Sequence, residues 1–335
     1  MQVLKKIGFP IAVIYGLVVR LRNYLFDVGV YSSKSFKTPT ICVGNISAGG
    51  TGKTPMIEYL VRLLKHTHKV AVLSRGYGRK SKGLYLAKKN STVEELGDEP
   101  FQVYSKFSDI SLVVSSNRRE GISFLEKEIA PDIILLDDAY QHRKVTPSIS
   151  ILLTAYNNLY CDDWFLPVGS LRDTKQEAKR ANLIVVTKCP DNLEEEKRSQ
   201  IIKRLKVTSS QEVVFSTLCY DVELKGGMQG LTLDDVRQKK ITLVTGIAYP
   251  EPLVAYLKSE KISFEHLKYK DHHFFSTKEI NLFSTKECIL TTEKDYVRLK
   301  GKLNKLWYIE MKHKFLFQGE EKLKIIIATP KISAS

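Results

Sequence analysis

The 335-residue chain lacks any close pair of cysteines. Cys42, Cys161, Cys189, Cys219 and Cys288 are scattered, with no C-x-x-C spacing and no ligand histidine nearby. An odd, dispersed set excludes a disulfide frame or zinc site and predicts reduced cytosolic thiols. The N-terminal apolar run, Phe9 to Val19, falls short of the ~20 residues a membrane-crossing helix needs, and Arg20 and Arg22 end it. No small-residue cleavage site follows it, which excludes a signal peptide. Internal repeats and low-complexity tracts are missing. Acidic residues are in short supply: 37 Asp and Glu face 52 Lys and Arg, a net charge of +15. That balance favours an anionic partner, whether nucleic acid, an acidic membrane surface or a phosphorylated substrate. The lysines are scattered rather than interleaved with aromatic residues, so no nucleic-acid partner is expected.

What is present describes a folded protein: 43% hydrophobic and 27% charged residues, long enough for two domains. From Pro10 onward the first segment reads as an apolar helix with proline in its first turn and arginines near its end. Packing on the core and lying in a membrane interface both suit it. Beyond it, "TPTICVGNI", "KVAVLSRGYGR", "ISLVVSS", "PDIILLDDAYQHR", "ISILLTA" and "ANLIVVTKCP" contain short apolar strands, alternating with helical segments. That alternation predicts an α/β fold with a parallel sheet covered on both faces. A glycine-rich stretch near residue 222 suggests a boundary, after which the α/β pattern restarts. The expected organisation is a P-loop NTPase-type domain over 1–222, with the N-terminal helix, and a smaller α/β domain over 223–335 closing over a cleft.

The strongest local signal is "GNISAGGTGKTP". Gly49, Gly50, Thr51, Gly52, Lys53 and Thr54 follow a strand and open a helix, as a phosphate-binding loop requires. Glycines let backbone N–H groups turn inward, Lys53 neutralises the β- and γ-phosphates, and the Thr54 hydroxyl suits Mg²⁺. The first glycine of the usual G-x-x-x-x-G-K-[ST] pattern is absent, with Ser47 in its place. Asp137 and Asp138 end an apolar strand at the edge where open α/β sheets bind ligands, positioned to hold Mg²⁺. A small G-protein is excluded: Lys188 and Asp191 are one residue too far apart for N-K-x-D, and no D-x-x-G follows the acids. A partitioning-type ATPase is disfavoured because no extra lysine stands near Ser47 or Ala48.

Further motifs, "SRGYGRK", "GDEP", "DDAYQHR", "LPVGSLRD", "DHHFF" and "TTEKDYVRL", exceed what a generic ATPase needs. In kind and order they resemble the tetraacyldisaccharide 4'-kinase family, the lipid A 4'-kinases of Gram-negative bacteria, over nearly the whole chain. In that family Ser47 is a normal feature of the loop. The resemblance implies transfer of the ATP γ-phosphate to the 4'-hydroxyl of an acylated glucosamine disaccharide 1-phosphate, forming lipid IVA at the cytoplasmic face of the inner membrane. It implies Asp98 and His272 as the catalytic pair, with His273 as the alternative imidazole, and Arg172 as a phosphoryl-stabilising cation. Arg75, Arg79, Gln141 and His142 are implied as substrate contacts. Asp173 stands where the family commonly has glutamate. ATP and Mg²⁺ are the expected cofactors, and an anionic inner-membrane surface is the expected peripheral partner.

Overall fold

The computed structural model describes residues 2–227 and 230–328, residues 2–7 by backbone alone. Strands β1 Thr40–Gly44, β2 Val70–Ser74, β3 Tyr85–Leu86, β4 Ser111–Val114, β5 Ile133–Asp137, β6 Ile149–Ala155 and β7 Leu183–Thr187 build the first half. The second half holds β8 Glu212–Lys225, β9 Leu231–Thr232, β10 Ile241–Thr245, β11 Phe264–Lys268, β12 Cys288–Thr292 and β13 Leu306–Leu316. Among the described residues they form one sheet in the order β11-β10-β12-β13-β8-β7-β6-β1-β5-β2-β4-β3, with β9 on β8. Pairing is parallel from β4 to β8 and from β13 to β11, and the two parallel sets meet at the antiparallel pair β8–β13.

Period-two alternation sorts the central strands onto two cores. Ile41, Val43, Ile133 and Leu135 face one side of the sheet, while Cys42, Ile134 and Leu136 face the other. The first side is covered by helix α2 (Lys53–Leu64), which buries Met56, Ile57, Leu60 and Val61. The second half has its own clusters around Leu243, Leu290 and Phe283. The C-terminal helix Gly319–Ala328 returns to the first half, where Leu323 and Ile327 join the core beneath α2.

Helix α1 spans Gln2–Asp27 and carries Pro10 inside it, so the helix starts eight residues earlier than the proline suggests. Pro10 is exposed and forfeits a single backbone bond, which a 26-residue helix tolerates. The expectation that the segment is too short to cross a membrane is also revised. Gly8–Asp27, with hydropathy 1.3, is long and apolar enough by length and composition. One stripe, Ala12, Val19 and Asn23, packs on the protein, while Ile11, Ile14, Leu17, Val18 and Leu21 remain exposed. A Cβ on Gly16 would meet the Phe165 ring at 2.7 Å, so the helix lies hard against that loop. Its anchor is polar: the Tyr15 hydroxyl donates to the Arg172 carbonyl at 3.0 Å. The buried Asp173 carboxylate accepts from Asn23 at 2.7 Å and from Arg22 at 3.0 Å.

The two halves face each other through helices rich in charge. Helix α3 (Val93–Leu96) ends at Gly97, and α4 (Asp98–Lys106) packs against the Glu293–Leu299 helix. Along this contact Arg298 pairs with Asp98, Lys294 with Glu99 at 2.7 Å, and Gln102 donates to Glu293 at 3.0 Å. Lys106 is surrounded by Glu58, Glu293 and Glu310. Burial, added to the neighbouring carboxylates, pushes the Glu293 carboxyl up to about 8.

Three outcomes are expected. Because the Glu293 carboxyl is raised on folding, its contribution is most favourable below its ordinary 4.5 and is lost as pH rises toward about 8. The thermal midpoint of Glu293→Gln should therefore gain on that of the wild type as pH climbs through this window. Lys106→Met, which takes the cation from Glu293 and leaves Glu58 and Glu310 to Arg62, should cost about 3–5 kcal/mol in denaturant melts. At the other end of the molecule, Asp173→Ala should cost about 2 kcal/mol by removing the hydrogen-bonded anchor of α1.

Candidate active site

The loop from Asn45 to Gly52 connects β1 to α2. Gly52 has φ 88°, and a Cβ there would press to 3.2 Å from the His313 ring. Glycine at this position is thus required by both backbone and packing. His313, on β13, lies beneath the loop: Nε2–H donates to the Gly52 carbonyl at 3.0 Å, and Nδ1 lies 3.0 Å from Ser216 Oγ. Burial pulls its imidazole down to about 4 and keeps it neutral. Ser47 forms a β-bridge with Leu171, and the next amide, Ala48, donates to the Ser170 carbonyl at 2.6 Å. The backbone there is extended and pinned, so the missing first glycine is not needed.

Asn45 organises the cations around the loop. Its Oδ1 accepts from Lys53 at 3.4 Å and from Arg172, and its carbonyl accepts from Gln141 at 2.6 Å. Arg172 also grips Asp138 at 3.0 Å, and Lys53 lies 3.7 Å from the same carboxylate. Asp138 sits at φ 45°, which turns it toward these cations at the end of β5. Burial would raise its carboxyl, but Lys53 and Arg172 outweigh that and hold it low.

Its neighbour Asp137 behaves differently. Oδ2 accepts from the Ser74 hydroxyl at 2.9 Å, whereas the buried Oδ1 has no protein partner. Burial, then repulsion from Glu99 and Asp138, pushes its carboxyl up to about 6. A buried carboxylate oxygen left open beside a phosphate loop is the donor a hard divalent cation takes, and Thr54, in the first turn of α2, adds a hydroxyl. Oxygen donors of this kind fit Mg²⁺.

Asp98 and His272 come together although 174 residues apart: Nδ1 lies 2.6 Å from Asp98 Oδ2. Gly97, at φ 88°, turns the chain so that Asp98 opens α4, and His272 itself adopts φ 58° on the loop after β11. Burial would raise the Asp98 carboxyl, but Arg298 and His272 overcome it and hold the group below its ordinary range. His273 is committed elsewhere, 3.0 Å from Glu279 and stacked on Tyr269 at 4.7 Å.

The remaining candidates take separate positions. Arg75 is exposed, while Arg79 is bound into its own turn, donating to Ser81 Oγ at 3.1 Å and to the Gly83 carbonyl at 2.5 Å. His142 is half-buried, with Nε2 unpartnered, and burial, helped by Arg118, lowers it to about 4. Asn45 and Arg298 lie inside "GNISAGGTGKTP" and "TTEKDYVRL", which give them no role on their own, and His313 lies outside every motif. His313 lies 261 residues beyond Gly52, and nothing in "MKHKF" signals that contact.

Residues 4–329 match the family model described as Tetraacyldisaccharide-1-P 4'-kinase. A Flavobacterium johnsoniae "Tetraacyldisaccharide 4'-kinase" is 49% identical over 322 residues, covering 94% of each chain. One from Bacteroides thetaiotaomicron is 43% identical, covering 87% of this chain and 82% of the relative. Among solved structures, LpxK from Aquifex aeolicus, described as an "apo" form in complex with ATP, superposes with a TM-score of 0.81 at 29% identity, covering 97% of this chain and 98% of that one. With a family match over nearly its whole length and relatives of close to half identity, the chain belongs to the tetraacyldisaccharide-1-P 4'-kinase family.

Proposed function

We infer that this chain is an ATP-dependent kinase that phosphorylates the 4'-hydroxyl of a tetraacyldisaccharide 1-phosphate, giving lipid IVA. The single observation that carries the reading is the Asp98–His272 contact beside a phosphate-binding loop, in a chain of this family. A sugar hydroxyl is a poor nucleophile at neutral pH and needs a base as it attacks.

In this mechanism Lys53 and the amides of Gly49 to Thr54 hold the ATP phosphates, with Arg172 placed against the transferring group. Asp137, Asp138 and Thr54 would hold Mg²⁺, which offsets charge on the β- and γ-phosphates. With Asp98 ionised, His272 Nδ1 carries the hydrogen it donates to Asp98 Oδ2, so Nε2 is the basic nitrogen. Nε2 takes the 4'-hydroxyl proton while the 4'-oxygen bonds to the γ-phosphorus. The bond from that phosphorus to the β,γ-bridging oxygen breaks, and ADP leaves. Arg75, just after β2, and Gln141 and His142, after β5, would contact the substrate, and Arg79 shapes the turn that carries Arg75.

The acyl chains and the membrane suit the exposed face of α1. Ile14, Leu17 and Val18 are more than half exposed on a helix flanked by basic residues, a pattern that favours an anionic bilayer surface. We therefore place the enzyme at the cytoplasmic face of the inner membrane, in two lobes that close over the site.

Purified protein with labelled ATP and the lipid disaccharide should yield a product with a second phosphate on the distal sugar. Lys53→Ala and Asp98→Asn should each lower kcat by about 10²–10⁴-fold. Full turnover in Asp98→Asn removes the base assignment. Val18→Asp should keep the wild-type melting temperature yet sediment less with vesicles containing anionic lipid; equal sedimentation counts against α1 as the membrane contact.

A further inference from the structure

Arg298 takes no part in the steps above, yet its surroundings are unlike those of a surface ion pair. Its side chain is 2% exposed. Nε donates to Asp98 Oδ1 at 3.1 Å and an Nη2–H donates to Asp98 Oδ2, so the guanidinium grips both carboxylate oxygens. Nη1 donates to Asp295 Oδ1 at 3.2 Å and toward the Gly246 carbonyl at 3.4 Å. Asp295, wholly buried, accepts from the Gly246 amide at 2.8 Å and the Thr292 hydroxyl at 2.7 Å. The Gly246 carbonyl also accepts the His272 amide at 3.0 Å. Arg298, Asp98 and the backbone of His272 are thus fixed in one frame, built on the start of the Glu293–Leu299 helix.

The charges in that frame set a problem. A bare carboxylate 2.6 Å from an imidazole favours imidazolium, and an imidazolium has no lone pair with which to take a proton. A guanidinium across both oxygens of Asp98 offsets that field while leaving the carboxylate able to accept the Nδ1 hydrogen. Arg298 Nη2 also lies 3.1 Å from His272 Nδ1. Asp98 Oδ2, which can only accept, draws the hydrogen onto Nδ1 and leaves the lone pair on Nε2, which lies 3.8 Å from Asp271 Oδ2. Asp271 on its own loop, 3.8 Å from Nε2, and the Tyr77 ring, 6.4 Å away, also face His272, while Lys294 pairs with Glu99 and feels Asp98 and Asp271.

We propose that Arg298 is a positioning residue for phosphoryl transfer: it clamps and neutralises Asp98, so that Asp98 orients His272 without locking it as the charged acid. The proposal rests on the reading of Asp98 and His272 as the base pair. It also assigns Asp295 the task of holding the guanidinium in place.

The test is a mutant cycle read through the pH dependence of kcat. Arg298→Gln should lower kcat at neutral pH by about tenfold to a hundredfold, keep KM for ATP within about twofold, and move the acidic limb of the rate profile up by about one pH unit. Arg298→Lys, which keeps the charge but loses the fork, should recover most of the limb shift with a rate between the two. In an Asp98→Asn background, Arg298→Gln should add less than about threefold, because the group it acts through is gone. An equal loss in both backgrounds with an unmoved limb overturns the proposal and leaves Arg298 as scaffolding. Should Arg298→Gln melt too early to assay, Arg298→Lys decides: a wild-type rate and limb overturn the fork requirement. A fully active Asp98→Asn overturns the base reading itself, and this proposal with it.

Discussion

The contact between α4 and the Glu293–Leu299 helix is the interaction on which the site depends, and it is made of charge rather than apolar surface. Along it run Asp98–Arg298, Glu99–Lys294, Gln102–Glu293 and the Lys106 cluster. Buried ion pairs repay their desolvation only when geometry is good and remaining donors are satisfied, so such a contact contributes little net stability while strongly favouring one register. Breaking it leaves uncompensated charges in both halves. The contact is therefore specific yet modest in free energy. Asp98, the first residue of α4, stands at one end of this ladder, where it meets His272.

Parts of this arrangement were legible in the sequence because they are local. The glycine spacing before Lys53, the apolar run ending in Asp137 and Asp138, and the alternation that sorts β1 and β5 onto two faces are properties of short windows. Ser47 was readable only through the family pattern; its physical reason, a bridge to Leu171, involves a segment 124 residues away in the chain. Pro10 misled because a proline that begins a helix and one inside a helix share the same flanking pattern. The C-terminal helix was grouped with the smaller half by order along the chain, while its Leu323 and Ile327 complete the first half's core. Arg298 and His313 are single residues whose work is done across the β8–β13 junction, and periodicity carries no trace of that.

The two aspartates ending β5 show why identity alone does not fix a role. Asp138, at φ 45°, is turned into Lys53 and Arg172 and stays ionised, whereas Asp137 is buried under Ser74 with one oxygen unmatched. Adjacent carboxylates repel, and their environments push their proton affinities apart. The one with the unmatched oxygen gains most from a divalent cation, since that cation would remove both its repulsion and its unsatisfied lone pair.

Helix α1 ties this chemistry to an exposed apolar surface. Its buried stripe ends on the Tyr15 and Asn23 contacts to residues 172 and 173, and Arg172 is the side chain that grips Asn45 and Asp138. One residue therefore separates the helix anchor from the cation beside the phosphate loop. Asp173 accepts three donors, from Arg22, Asn23 and its own neighbour's amide, which accounts for a carboxylate with no solvent exposure. Its shorter side chain, compared with glutamate, keeps the anchor close to the backbone of Arg172. The apolar outer face of α1 and the phosphate loop are in this way held by a single rigid turn.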